Sequence, residues 1–230
     1  IATQLNASVG QFLIGMIVSS SAVLLGIYSV GTQVVQYYQS IGSAFSHVLM
    51  PGLVKLVERK ASSKQLCDEM IRIGRIILMV LSVIWGAYVV CGKDFIILWA
   101  GEENNEAWFV SLILMFAYMI VLSESVGNQI LWAMNAHREQ SYAKLFIVIM
   151  NISLSIVLIK WNALIGAALG TFLSLIIGDI IVMNVIFVKK IKINIFDYYK
   201  GLLKGILPSL IIAVLVGGLV SSHLPISWSM

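Results

Sequence analysis

The sequence predicts an all-α integral membrane protein with about seven transmembrane helices. Three observations carry that prediction. Sixty per cent of the 230 residues are hydrophobic and only 11% are charged, whereas a soluble domain carries about 25% charged residues. The apolar residues fall into runs near the roughly 20-residue length that crosses a bilayer core. The basic residues are gathered into alternate connections between those runs, as the positive-inside rule requires of a multi-pass protein.

The first span is read from Ala2 to Val18 and closes at Ser19-Ser20-Ser21. The second runs from Val23 to Leu56, with Pro51 near its end. A helix of that length reaches roughly 45–50 Å, so it must tilt or project from the bilayer. Residues 55–75 are charged and read as a short interfacial helix. The third span, Ile76 to Cys91, leads to the acidic loop Gly101-Glu102-Glu103-Asn104-Asn105-Glu106. The fourth is Ala107 to Met134, and the fifth is Leu145 to Ile159, followed by a turn at Lys160-Trp161-Asn162. The sixth, Leu164 to Val188, precedes Lys189-Lys190-Ile191-Lys192, and the seventh is Leu203 to Ser221.

With this count one set of connections holds Lys55, Arg59, Lys60, Lys64, Arg72, Arg75, Arg138, Lys144, Lys189, Lys190, Lys192, Lys200 and Lys204, and the other holds only Lys93 and Lys160. That asymmetry places the first set, and Ile1, on the cytoplasmic side of the membrane. The net charge of +4 then reports topology and contact with anionic lipid rather than nucleic acid. Trp99, Trp108, Trp161 and Trp228 fall near the outer boundary and Trp132 near the inner one, as interfacial belts do; Trp85 is mid-span and reads as packing. Cys67 and Cys91 lie on opposite sides in this topology and are not expected to pair. The chain begins without a basic leader region and stops shortly after a span, so it is read as part of a longer protein.

Polar residues inside the spans are the candidates for function. Gln33, Gln36, Tyr37, Ser40, Ser43 and His47 recur at three- and four-residue spacing on one face of the second span, and Gln4, Ser8 and Gln11 do so on the first. Each unsatisfied polar group facing lipid costs several kcal/mol. One reading is that these helices line a wet cavity, which the length of the stripe and His47 favour. The other is hydrogen bonding between helices. Glu124 and Asp179 sit inside spans, where a charge costs about 2.5–3.5 kcal/mol on insertion scales. They are candidates for proton or cation coupling, against the plainer reading of an acid bonded to a neighbouring helix. Small residues recur every fourth position at Gly166, Gly170, Ser174 and Gly178, and again at Gly201, Gly205, Ser209, Ala213 and Gly217; both sets read as faces for close packing. Lys55, Arg59, Lys60, Arg72 and Arg75 would suit an anionic head group such as pyrophosphate at a cavity mouth, although positive-inside charge alone accounts for them. No nucleophile elbow, zinc-type pair or phosphate loop occurs. No enzymatic activity, metal or cofactor is therefore expected.

Several stretches together resemble the oligosaccharide flippases of the multidrug/oligosaccharidyl-lipid/polysaccharide export (MATE-like, MOP) superfamily. They are Leu25-Gly26-Ile27-Tyr28-Ser29-Val30, Val48-Leu49-Met50-Pro51, Ile130-Leu131-Trp132-Ala133-Met134-Asn135-Ala136-His137-Arg138 and Leu164-Ile165-Gly166-Ala167-Ala168-Leu169-Gly170-Thr171. The resemblance implies helices seven to thirteen of a fourteen-helix protein, the C-terminal transmembrane bundle, with the N-terminal bundle missing. It implies alternating access between two bundles. The cargo would be an undecaprenyl-pyrophosphate-linked oligosaccharide, flipped for surface polysaccharide such as O-antigen, capsule or exopolysaccharide. A polysaccharide polymerase and chain-length machinery are partners that this reading allows. The rival readings are a cation-coupled multidrug antiporter of the same superfamily and a membrane-embedded polysaccharide polymerase.

Overall fold

The computed structural model describes residues 2–18 and 21–204, without the side chains of residues 2–5, 7, 21 and 46–51. The seventh predicted span therefore lies almost wholly outside the described residues. The elements are helices α1 (Ala2–Ile17), α2 (Ser21–Glu58), α3 (Ser63–Ala100), α4 (Ala107–Ser123), α5 (Ser125–Ala133), α6 (His137–Ile159), α7 (Ala163–Leu175), α8 (Met183–Lys190) and α9 (Ile195–Leu203), with a 3-10 turn at Glu102–Asn104 and a π-helical stretch at Ile176–Val182 between α7 and α8. No strand occurs among the described residues. The protein is membrane-embedded and all-α. Three described helices are long and apolar enough to cross a membrane, and a fourth if α4 and α5, bent by 40°, make one broken span.

Three boundaries differ from the sequence reading. The expected interfacial helix and the third span are one continuous 38-residue helix, α3. Ser62 caps it: its hydroxyl accepts from the Gln65 amide, and the Gln65 side chain returns a bond to the Ser62 N–H. That reciprocal box supplies partners that the first turn lacks. The charged first turns stay helical because they extend beyond the apolar zone, where water solvates them. Next, the fourth span is not a straight rod. Ser123 Oγ donates to Ile120 O at 2.7 Å, and such back-bonding bends helices; Glu124 then stands at the break rather than within a helix. Last, Lys144, assigned to a connection, lies inside α6.

The connections at the basic end share one device. Lys60, Asn135 and Lys192 take left-handed conformations, with φ of 54°, 57° and 60°. Around Lys60 the bonds Ala61 N–H to Leu56 O and Lys60 N–H to Val57 O close a Schellman turn, and Asn135 repeats the pattern. The two lysines also set positive charge against helix C-termini, where the macrodipole favours it. Cys67 and Cys91 both lie on α3, 24 residues and so roughly 36 Å apart, and both are free thiols.

The helices pack α6 on α7, α2 and α3 on α4, and α1 on α6. Trp85 donates its indole N–H to Leu112 O at 3.1 Å and its ring meets Phe116, so its role is packing between α3 and α4. The small residues of α7 let α6 come close. A Cβ at Gly166 would stand 2.2 Å from Leu158 O, and one at Gly170 would stand 2.1 Å from Ser155 Oγ and 2.8 Å from its Cα. A hydroxyl can rotate away, but a Cα moves only with its helix. Gly170→Val is accordingly expected to lower stability by about 1–3 kcal/mol. Gly26→Val, whose Cβ would meet nothing within 4 Å, is the control and should stay within about 0.5 kcal/mol of the parent. Detergent-titrated unfolding of the two variants makes the comparison.

Candidate functional site

The polar face of α2 looks outward. Gln33, Gln36, Tyr37 and Ser40 are exposed, and Tyr37 keeps 59% of its surface open. Their bonds stay on their own helix: Gln33 Nε2 donates to Tyr37 OH at 3.2 Å, Ser40 Oγ to Gln36 O at 2.8 Å and Ser43 Oγ to Ser40 O at 3.1 Å. Gln11 of α1 joins them at one end, donating to Ser29 Oγ at 3.3 Å and Thr32 Oγ1 at 3.2 Å. The side chains of Gln4 and His47 lie outside the described residues.

This face has an apolar neighbour and a polar interior. On one side Tyr37 also lines a groove of about 590 Å³ between α2 and α3, walled by Tyr38, Tyr88, Phe95 and Trp99. Tyr37 thus stands where polar surface meets apolar groove. On the other side Gln36 and Gln39 border a void of about 20 Å³ shared with Tyr28, Thr32, Tyr118 and Thr171. A polar void of that size can hold one water.

A second polar cluster lies towards the basic end. Asp179, 4% exposed, sits in the π-helical stretch and is ion-paired with Lys144 of α6. Glu124 is 2% exposed. Its Oε1 accepts from Tyr199 OH of α9 and, at 3.1 Å, from Asn184 Nδ2 of α8. Asn184 Nδ2 also reaches Ile180 O at 2.5 Å and Tyr199 OH at 2.7 Å. Glu124 Oε2 and Asn184 Oδ1 are buried and have no partner. Burial first, and then the Glu124 carboxyl, hold the Tyr199 phenol above its ordinary value, so Tyr199 remains a proton donor. Glu124 also feels the charges of Asp179 and Lys144. The structure therefore gathers the two acids into one cluster of unequal members: Asp179 has a cation, and Glu124 has only neutral donors.

Asn184, Tyr199 and the Lys144 contact were not singled out from sequence. Nor was a third buried node, where Asn151 Nδ2 donates to Asn6 Oδ1 at 2.7 Å while Asn151 Oδ1 accepts from Ser155 and Thr171. The cations of the expected mouth divide. Lys55 and Arg59 are exposed, and Arg72 pairs with Glu69 at 3.5 Å on the surface. Arg75 instead donates to Gly201 O at 3.2 and 2.7 Å, closing the C-terminal end of α9. Among the described residues no three His, Cys, Asp or Glu side chains converge as a metal site would need.

Residues 1–107 match a family model described as polysaccharide biosynthesis protein. The matched part contains α1, α2, α3 and the whole outward polar face. No curated protein and no solved structure matches the chain. The match supports a role in polysaccharide biosynthesis.

Proposed function

Starting from the polysaccharide biosynthesis family that residues 1–107 match, we propose that the protein is part of a flippase. It moves undecaprenyl-pyrophosphate-linked oligosaccharide across the bacterial inner membrane by alternating access. The observation that carries this reading is the outward face of α2. Exposed amides at Gln33 and Gln36, in a chain that is otherwise strongly apolar, are costly against lipid. They are stable against water or a hydroxyl-rich cargo. Tyr37 then marks the boundary at which an amphipathic substrate divides, with sugar on the polar face and prenyl chain towards the apolar groove. In this reading seven spans form the C-terminal bundle, the second bundle covers the α2 face, and Lys55, Arg59 and Arg72 meet the pyrophosphate at the cytoplasmic mouth. Glu124 couples transport to an ion.

The test uses the complete gene in its host. Its deletion should abolish surface polysaccharide and leave the lipid-linked unit on the cytoplasmic leaflet. Complementation with Gln36→Leu should restore flipping only to about a half to a tenth of the parent rate, the range one lost hydrogen bond accounts for. Normal polymer after deletion, in a host without a second copy, overturns the proposal. Raised drug sensitivity in that case supports the antiporter reading, which the buried acid Glu124 also fits. Lipid-linked units that reach the outer leaflet yet stay unpolymerised point to a polymerase.

A further inference from the structure

Two apolar grooves flank α8 at the basic end. The first, about 560 Å³, is walled by Ile120, Ile181, Val188 and Tyr199; the second, about 380 Å³, is walled by Tyr142, Phe146, Val182 and Ile186. Both volumes fall within the roughly 300–1,000 Å³ of small-molecule sites. The grooves share two residues, Val185 and Lys189, which lie on the helix between them. Val185 is 48% exposed and Ile181 56% exposed, so both walls open to the surroundings of the helix.

The charges at the mouth are uneven. Lys190 is committed to Glu139 at 2.5 Å. Lys189 is exposed, and no acid among the described residues pairs with it. From Lys189 back to Ile181 the helix spans about 12 Å, so each groove runs from a cation down into the apolar zone. A molecule that fills both grooves and satisfies Lys189 has two apolar tails joined at one anionic head.

We propose that one anionic diacyl phospholipid straddles α8, with an acyl chain in each groove and its phosphate on Lys189. Glu139 stands at the rim of the second groove and would repel the phosphate. Lys190 neutralises it, which leaves Lys189 to set the head-group position. A single-chain prenyl lipid leaves one groove empty, and a zwitterionic lipid gains less from a lone lysine. The site does not depend on the cargo of the transporter.

The experiment places the full protein in phosphatidylcholine vesicles with trace spin-labelled phosphatidylglycerol or spin-labelled phosphatidylcholine. The fraction of motionally restricted label is then read by electron paramagnetic resonance. The expected result is a preference of about fivefold for phosphatidylglycerol, the effect of one lysine near a membrane surface. That preference should vanish in Lys189→Gln and persist in Lys200→Gln, another exposed lysine at the same end. Val185→Trp, which fills the wall common to both grooves, should reduce the restricted fraction of both lipids. Equal loss of preference in both lysine variants would reduce the effect to diffuse surface charge and overturn the site. So would a preference that survives Lys189→Gln, or a restricted fraction that Val185→Trp leaves unchanged. Displacement of the label by equimolar polyprenyl phosphate would overturn the two-tailed occupant in favour of a one-tailed one.

Discussion

Lys144→Met is expected to lower the unfolding free energy by about 3 kcal/mol, the lower end of the range for breaking a buried ion pair by removing one partner. The lower end applies because Lys144 keeps 27% of its side-chain surface exposed, whereas Asp179 keeps only 5%. The loss does not come from the lysine itself, whose aliphatic stem methionine replaces well. It comes from Asp179, left with no cation in a π-helical turn pressed against α6. A second substitution, Asp179→Leu, removes the stranded acid and should recover most of the loss, because well-packed apolar residues often replace buried pairs without penalty. Detergent-titrated unfolding of the parent, the two single variants and the double variant gives the coupling directly. If the double variant is as weak as Lys144→Met, the loss does not come from the stranded Asp179.

If the protein is the flippase proposed above, Glu124→Gln is expected to lower transport of lipid-linked oligosaccharide at least about tenfold, about 1.4 kcal/mol of barrier, while the unfolding midpoint stays near that of the parent. Glutamine keeps the size of the side chain and an oxygen for Tyr199 and Asn184. It can neither release a proton nor bring a negative charge to a cation. That distinction matters because one carboxyl oxygen, Oε2, is buried without a partner, and Lys144, the cation whose charge reaches it, already serves Asp179. Tyr199→Phe removes one donor to Glu124 and should act more mildly, by a few-fold. Full transport by Glu124→Gln in reconstituted vesicles would make the acid a structural acceptor and leave the ion coupling without a residue.

The helical, strongly apolar character of the described residues was legible in the sequence, because the bilayer forces apolar length and charge to segregate, but only three or four of the seven expected spans are matched by described helices long and apolar enough to cross. The contact between α6 and α7 was legible too, had the turn been used as a mirror. Lys144 lies seventeen residues before Trp161 and Asp179 eighteen after it, while Asn151 and Thr171 are each ten away. In an antiparallel pair such residues share a height, so the ion pair and the contact of Asn151 with Thr171 fit the turn, whereas the bond to Asn6 comes from α1. Lys144 was read as a loop cation because it is basic and near a span end. Its long stem lets the amine reach inward from there. The continuity of α3 was hidden for a related reason: charged first turns resemble a loop, although Ser62 and Gln65 carry the spacing of a helix start. The break at Glu124 has no Pro, and its nearest Gly, Gly127, lies within α5 and not at the bend; the partners of Glu124 come from helices distant in sequence. For the polar face of α2, spacing established a stripe. Which way the stripe looks depends on the packing of α2 against α4, and no single-helix pattern contains that.

The π-helical stretch at Ile176–Val182 also has a consequence for phase. A π turn accommodates an extra residue without ending the helix. Everything beyond it is rotated relative to the course that α7 alone would set. Were the same seven residues wound at the ordinary α period, α8 would be turned by about 100° around its axis. Lys189 would leave its place between the two grooves, and Asn184 would turn away from Glu124. The seven residues act as an angular spacer, setting the azimuth of the basic end of the sixth span independently of the face that α7 presents to α6.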